Sequence, residues 1–303
     1  MTTDPVLTRR RFLSGSAAAG VLALAGCAAR RPGPAQATRR VAGARGPVLV
    51  PEAPSRVAAL IGSCDVDVLA LGITPVYAGT FAEGWVDLPG GIVTSDAVPP
   101  SVETVAATRP DLLLGWEWLA DDPSWARLGA LAPAVPIPER TAWQEAFLLV
   151  GDAVNRRGRA EAELAAFEAR VGQVRARVGA GPPIAVAQIG FTEAGVFRMF
   201  GDDRDSTRIL RSVGLTPVGP ERSQESLSLE LLGQVGAPWL IAYGSGPDGA
   251  ALLAEAKAHP LWSTLPAVRA GQVLEVDGNR WVGAGLLWAR AIVDDLERLF
   301  GGR

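Results

Sequence analysis

The sequence predicts an α/β protein of two lobes, each built on a mainly parallel central sheet and joined to the other by one long α-helix. Three observations carry this expectation. Short apolar runs alternate with longer, helically patterned segments along most of the chain, as in strand–helix–strand units whose parallel strands are covered on both faces. One extended helical pattern lies near the middle. On either side of it the same layout recurs: a serine, an apolar residue and a glutamate open a helix that leads into a strand.

Residues 1–26 stand apart from that body. Arg9, Arg10 and Arg11 precede a stretch of small and apolar residues from Phe12 to Ala25, the order of charge and apolar run that marks an export signal. Thr8-Arg9-Arg10-Arg11-Phe12-Leu13 resembles a twin-arginine signal, and Leu24-Ala25-Gly26-Cys27 resembles the lipobox of bacterial lipoproteins. Cleavage there would leave Cys27 as the acylated first residue. The apolar stretch is shorter than the roughly 20 residues a spanning helix needs. Residues 27–54 read as a flexible linker, rich in Pro, Gly, Ala and Arg without apolar periodicity. Between Ala28 and Gly46 it carries Arg30, Arg31, Arg39, Arg40 and Arg45 and no acid, which suits a tether beside anionic lipid headgroups. Folding is expected to start near Ser55.

The N-terminal lobe is expected over residues 55–156. Arg56 to Ile61 reads as a strand, Asp65 to Leu71 as a helix stopped by Gly72, and Pro75 to Ala78 as the next strand. Ser101 caps a helix to Thr108, which Pro110 closes before the apolar run Asp111 to Gly115. After Trp143 the pattern is helical, breaks near Asn155 to Gly158, and resumes through Val178. Residues 157–180 are therefore the connecting helix, with acids early, arginines late and a stripe that includes Ala162, Leu164, Phe167 and Val171. The C-terminal lobe, residues 181–303, restarts with Pro183 to Ile189 as a strand. Ser228-Leu229-Glu230 then opens a helix before the run Trp239 to Ala242, as Ser101-Val102-Glu103 does before Leu112 to Leu114.

Charge and rare residues narrow the chemistry. Residues 47–303 hold 21 basic against 31 acidic groups, which argues against a nucleic-acid partner. Every basic residue but Lys257 is arginine, so a single arginine says little by itself. With Cys27 assigned to lipid, Cys64 has no partner for a disulfide or a thiolate metal site and is expected to be a small buried residue. The one histidine, His259, precedes Pro260 at a helix end, a structural position. No G-x-S-x-G elbow, H-E-x-x-H pair or glycine-rich phosphate loop is present, so the chain is not expected to be an enzyme. A bare transition-metal receptor would gather several histidines and carboxylates.

Four segments carry a resemblance: Pro54-Ser55-Arg56-Val57; Leu71-Gly72-Ile73-Thr74-Pro75-Val76; Ser101-Val102-Glu103 leading into Arg109-Pro110-Asp111-Leu112; and His259-Pro260-Leu261-Trp262 through Gly271-Gln272-Val273. From about Pro54 to Phe300 the chain resembles the substrate-binding proteins of ABC importers for ferric siderophores and cobalamin. The resemblance implies a ligand cleft between the lobes, where open α/β sheets also place ligands. It implies a ferric chelate as ligand, its iron held by the chelator and by no protein side chain, with no resident cofactor. It also implies a monomer that delivers to an ABC permease through Glu103 and Glu230, which match the docking acids of that family. Each glutamate also fits a capping box after its serine. Candidate ligand contacts are Trp116, Trp118, Arg140, Arg198, Arg280 and Trp281, which follow expected strands. Guanidinium groups suit the polarised oxygens of a ferric chelate and indoles supply apolar walls. Trp262 and Trp288 are set aside as core. Haem and cobalamin remain alternatives; haem would want an axial ligand from Tyr77, Tyr243 or His259.

Overall fold

The computed structural model describes residues 37–79, 86, 88–138, 141–178 and 181–301; the expected export signal, Cys27 and the first part of the expected linker lie outside them. Folding begins before Ser55, which corrects the expected linker. Thr38–Gly43 (β1) and Gly46–Pro51 (β2) pair as an antiparallel hairpin with Val41 opposite Val48. Val41 and Val50 are buried in the core of the first lobe. Arg39 donates to the carbonyls of Asp152 and Ala153, and the Ala44 N–H to the Pro136 carbonyl at 2.9 Å. Arg45 pairs with Asp121 at 2.7 Å. Two buried valines, one arginine on a neighbour's carbonyls, a backbone hydrogen bond and an ion pair together dock a ribbon whose composition reads as linker.

The N-terminal lobe holds Val57–Ala59 (β3), Tyr77–Gly79 (β4), Val93–Ser95 (β5), Leu112–Trp116 (β6) and Ala134–Ile137 (β7). They form one fully parallel sheet in the order β5-β4-β3-β6-β7. Its helices are Cys64–Ala70 (α1), Val102–Ala107 (α2), Ser124–Gly129 (α3) and Trp143–Ala153 (α4). Ser101 caps α2, its Oγ accepting from the Thr104 N–H at 3.3 Å.

The connecting helix is Arg157–Val178 (α5), 22 residues and so roughly 33 Å long. Ala160, Leu164, Phe167, Val174 and Val178 are its buried face, a spacing of three, four and seven that keeps one stripe turned inward.

The C-terminal lobe is a mixed sheet of Ala185–Phe191 (β8), Val196–Met199 (β9), Thr216–Pro217 (β10), Gln224–Ser228 (β11), Trp239–Gly244 (β12) and Val273–Glu275 (β13). The main order is β11-β9-β8-β12-β13, with β10 also on β8. The β8-β12-β13 half is parallel; β9 and β11 run antiparallel. Helices Asp205–Ser212 (α6), Gly249–Ala258 (α7), Pro266–Arg269 (α8) and Leu286–Phe300 (α9) flank it. The helix expected after Ser228 is a 3-10 turn, Leu229–Gln234; Gly233 within it and Gly236 beyond it weaken propagation. The sole lysine, Lys257 on α7, pairs with Glu275 on β13.

One continuous core runs through both lobes. It takes in Val57, Leu112 and Phe147 from the first, Leu164 and Phe167 from α5, and Ile209, Tyr243, Ile292 and Phe300 from the second. The outer face of each sheet has its own smaller cluster. Ion pairs fasten α5 to α9: Arg170 and Arg177 both reach Glu297, Arg170 meets Asp294 at 3.0 Å, and Arg290 meets Glu163 at 2.7 Å. Across the lobes, the Leu286 N–H that opens α9 donates to Asp67 Oδ1 of α1 at 3.3 Å.

Candidate functional site

Parallel strands end together, and the loops that leave their carboxyl ends open a crevice. Here they enclose a cavity of about 530 Å³. Gly62 and Ser63 follow β3, and Trp116 closes β6. Thr192 follows β8, Arg198 lies on β9, and Ser245 and Gly246 follow β12. Beyond β13, Asn279, Val282, Gly283 and Ala284 complete the wall with Trp288 at the start of α9.

Both indoles are fixed by backbone. Trp116 donates to the Gly62 carbonyl at 3.1 Å and Trp288 to the Asn279 carbonyl at 3.0 Å. Asn279 in turn accepts from the Gly246 N–H at 3.0 Å, which ties the loop after β12 to the loop after β13. Trp288 packs with Val66 of α1, so it is held from both lobes. Gly283 lies flat against this ring: a Cβ there would meet Trp288 Cε2 at 1.9 Å. Ser63, buried in the wall, adopts φ 74°, a strained backbone for a residue with a side chain.

Arg198 is the one charged residue among the described residues lining the cavity. It is not free: its guanidinium pairs with Glu225, and Arg204 reaches the other oxygen of that carboxylate at 2.6 Å. Arg204 also donates to Ser223 Oγ at 3.2 Å. Arg198 lies over the Phe200 ring, 5.7 Å from its centre.

Behind Ser63, α1 carries two buried carboxyls. Asp65 Oδ1 accepts from the Val66 N–H at 2.8 Å while Oδ2 has no partner among the described residues. Burial pushes the carboxyl up from 3.8 to about 6, and raises Asp67 as well, burial first and the Asp65 charge also contributing. Cys64 is buried and unpaired, and burial pushes its thiol up. Between the two pKa values the folded protein binds the Asp65 proton more tightly than the unfolded chain does, so stability falls as pH rises from about 4 to about 6. The cost at pH 8 is at most about 3 kcal/mol. Asp65→Asn should reduce this slope, the remainder belonging to Asp67, whose carboxyl is raised by the same burial; the reading is chemical denaturation at pH 4 and pH 8, and an unchanged slope would show that Asp65 titrates normally in the fold.

The residues singled out in the sequence separate by position. Trp116 and Arg198 come together in the cavity wall. Trp281 does not: it is buried, and its indole donates to Asp295 Oδ2 at 3.0 Å. Arg280 lies 4.0 Å from the same carboxylate. The reason is the helical turn Gly278–Arg280, which rotates 281 inward and leaves 279 and 282–284 to face the cleft. Trp118 is part-exposed on the turn Glu117–Asp121, outside the wall. Arg140 and Cys27 lie outside the described residues. Glu103 is exposed on α2 and pairs with Arg127 at 2.7 Å; Glu230 is exposed on the 3-10 turn. Trp262 is buried against Phe191, whereas Trp288, set aside as core, is both buried and part of the wall. Tyr77 and Tyr243 are fully buried and His259 ends α7, so none of the three lines the cavity. Thr192, Ser245 and Asn279 were missed; their one signal in the sequence is position just past an apolar strand.

Comparison with known proteins gives a consistent picture. The chain matches the periplasmic binding protein family over residues 57–279. It is 28% identical over 277 residues to a Bacillus subtilis protein named probable siderophore-binding lipoprotein YfiY, covering 83% of this chain and 84% of that one. It is 24% identical over 249 residues to the Fe(3+)-citrate-binding protein YfmC of the same organism, covering 78% and 77%. Among solved structures, Staphylococcus aureus SirA complexed with staphyloferrin B aligns with a TM-score of 0.71 at 20% identity, over 87% of this chain and 97% of that one.

Proposed function

Because the chain belongs to the periplasmic binding protein family, we propose that it is the lipid-anchored carrier of an ABC importer, exported to the outer face of the membrane, where it captures a ferric siderophore and passes it to the permease. The observation that carries this reading is the cavity at the carboxyl ends of the parallel strands, walled by Trp116 and Trp288 and entered by Arg198. Its size and mixed lining suit an organic ligand. The names of the relatives, siderophore-binding and ferric-citrate-binding, agree with it. The cargo's iron arrives fully ligated by its chelator, in keeping with the siderophore-binding name of a relative. The absence of a tyrosine or histidine from the described wall favours such a chelate over haem.

The carrier acts as a monomer, anchored through acylated Cys27, and changes nothing in its ligand. Because one core runs through both lobes, capture needs little hinge motion. The permease reads the lobe surfaces through Glu103 and Glu230. Ligand capture is tested by intrinsic fluorescence of the protein from Ala28 onward, titrated with ferric hydroxamate, catecholate and citrate chelates, haem and cobalamin. Saturable quenching at submicromolar concentration by a ferric chelate is expected; silence with all of them would overturn the reading. For docking, Glu103→Ala and Glu230→Ala together should cut uptake into permease-containing vesicles by about tenfold or more, as expected for lost interfacial charge pairs, with ligand affinity unchanged. Normal uptake by the double variant would remove the docking role.

A further inference from the structure

The ion pairs around the cavity say which ferric chelates it takes. Arg198 brings the only charge to the described wall, and Glu225 sits between Arg198 and Arg204, one oxygen to each. The trio carries two positive charges and one negative, held by the β9-β11 pairing that sets Arg198 and Glu225 on neighbouring strands. The second guanidinium, Arg204, stands behind the wall, engaged by Glu225 and held in place by Ser223. The rest of the wall offers hydroxyls, one amide, backbone and the two indoles.

A ligand with three negative charges would leave most of them uncompensated in a partly apolar crevice, and burying unpaired charge is costly. A chelate of zero or single charge meets no such cost and gains from the indole faces. Resting on the import reading above, we infer that Glu225 is a selectivity residue: by engaging Arg198 and Arg204 it tunes the cavity to ferric chelates of low net charge, of the trihydroxamate class, and against trianionic tris-catecholates and polycarboxylates.

The test is an equilibrium titration of the protein from Ala28 onward, and of its variants, with a ferric trihydroxamate, a ferric tris-catecholate and ferric citrate at fixed ionic strength. The unaltered protein should bind the trihydroxamate at least about tenfold more tightly than the tris-catecholate, the order expected for charge pairs at an interface. Glu225→Gln should tighten the anionic chelates by about tenfold and leave the trihydroxamate within about twofold. Arg204→Gln should act in the opposite direction, because Glu225 would then neutralise Arg198 alone. Tighter binding of the tris-catecholate or of ferric citrate than of the trihydroxamate by the unaltered protein, or no change in selectivity in either variant, would overturn the inference and leave the import reading standing. Failure of every ferric chelate to bind would overturn both.

Discussion

Gly283→Ala should reduce ligand affinity by about tenfold or more and lower the melting temperature by several degrees, since overpacking a tight site costs about 1–3 kcal/mol. The added methyl would lie 1.9 Å from Trp288 Cε2 and 2.2 Å from Cδ2, a separation no carbon pair sustains. The indole has little room to yield. It is buried, packs with Val66 of the opposite lobe and donates to the Asn279 carbonyl at 3.0 Å. Either the ring swings into the cavity or the 282–284 segment moves outward, and both reshape the wall. The check is a titration with whichever ferric chelate the unaltered protein binds, paired with a thermal melt. Unchanged affinity in a folded variant would show that Trp288 does not contribute to capture.

Trp281→Ala and Trp116→Ala should fail in opposite ways. Trp281 is fully buried and supplies the N–H that Asp295, itself buried, accepts. Truncating it opens a cavity worth about 3–5 kcal/mol and strips a buried carboxylate of a donor, a further cost of about 1–3 kcal/mol. For a chain of this length that is a loss of roughly 10 °C or more in Tm, with the remaining folded molecules keeping their affinity at a temperature below the transition. Trp116 stands in the wall, part-exposed, its N–H tied to Gly62 and one edge packed on the main core. Its removal should cost affinity by about tenfold, as for an aromatic anchor in a binding patch, with a smaller change in Tm. Melts and titrations of the two variants side by side decide it. A loss of affinity in folded Trp281→Ala would return that residue to the binding site.

The contrast between these two tryptophans shows where the sequence was legible. Repeating periodicity is a global signal, so the alternation of strands and helices, α5, and the recurrence of the Ser-x-Glu layout could be read from residue order alone. The neighbourhood of the strand ends was also readable in outline, and two residues chosen on that ground or by their aromatic flanks, Trp116 at the end of β6 and Arg198 on β9, stand in the wall. The next step was not readable, because one helical turn at Gly278–Arg280 decides whether 281 or its neighbours face the cleft. Trp288 lay at core spacing and is buried, yet a side chain packed on one face can form a cavity wall with another. The β1-β2 hairpin escaped for a different reason. Its strands are six residues each, with glycine, proline and arginine interrupting the valines, and their docking draws on carbonyls of Asp152 and Ala153 more than a hundred positions away. The engagement of Arg198 by Glu225 was likewise invisible, since it arises from strand pairing across a bulge.

The ion pair between Lys257 and Glu275 joins two elements, but the lysine has a second consequence that comes from its solitude. Primary amines are the targets of succinimidyl esters, aldehyde cross-linkers and many carrier resins, and guanidinium groups are inert to the mild forms of that chemistry. A surface whose positive charge is otherwise written entirely in arginine presents those reagents with one side-chain amine, on α7. With the α-amine blocked, as acylation of the first residue would leave it, a dye or biotin placed there marks one address on the protein, and the arginine charges of the remaining surface are untouched.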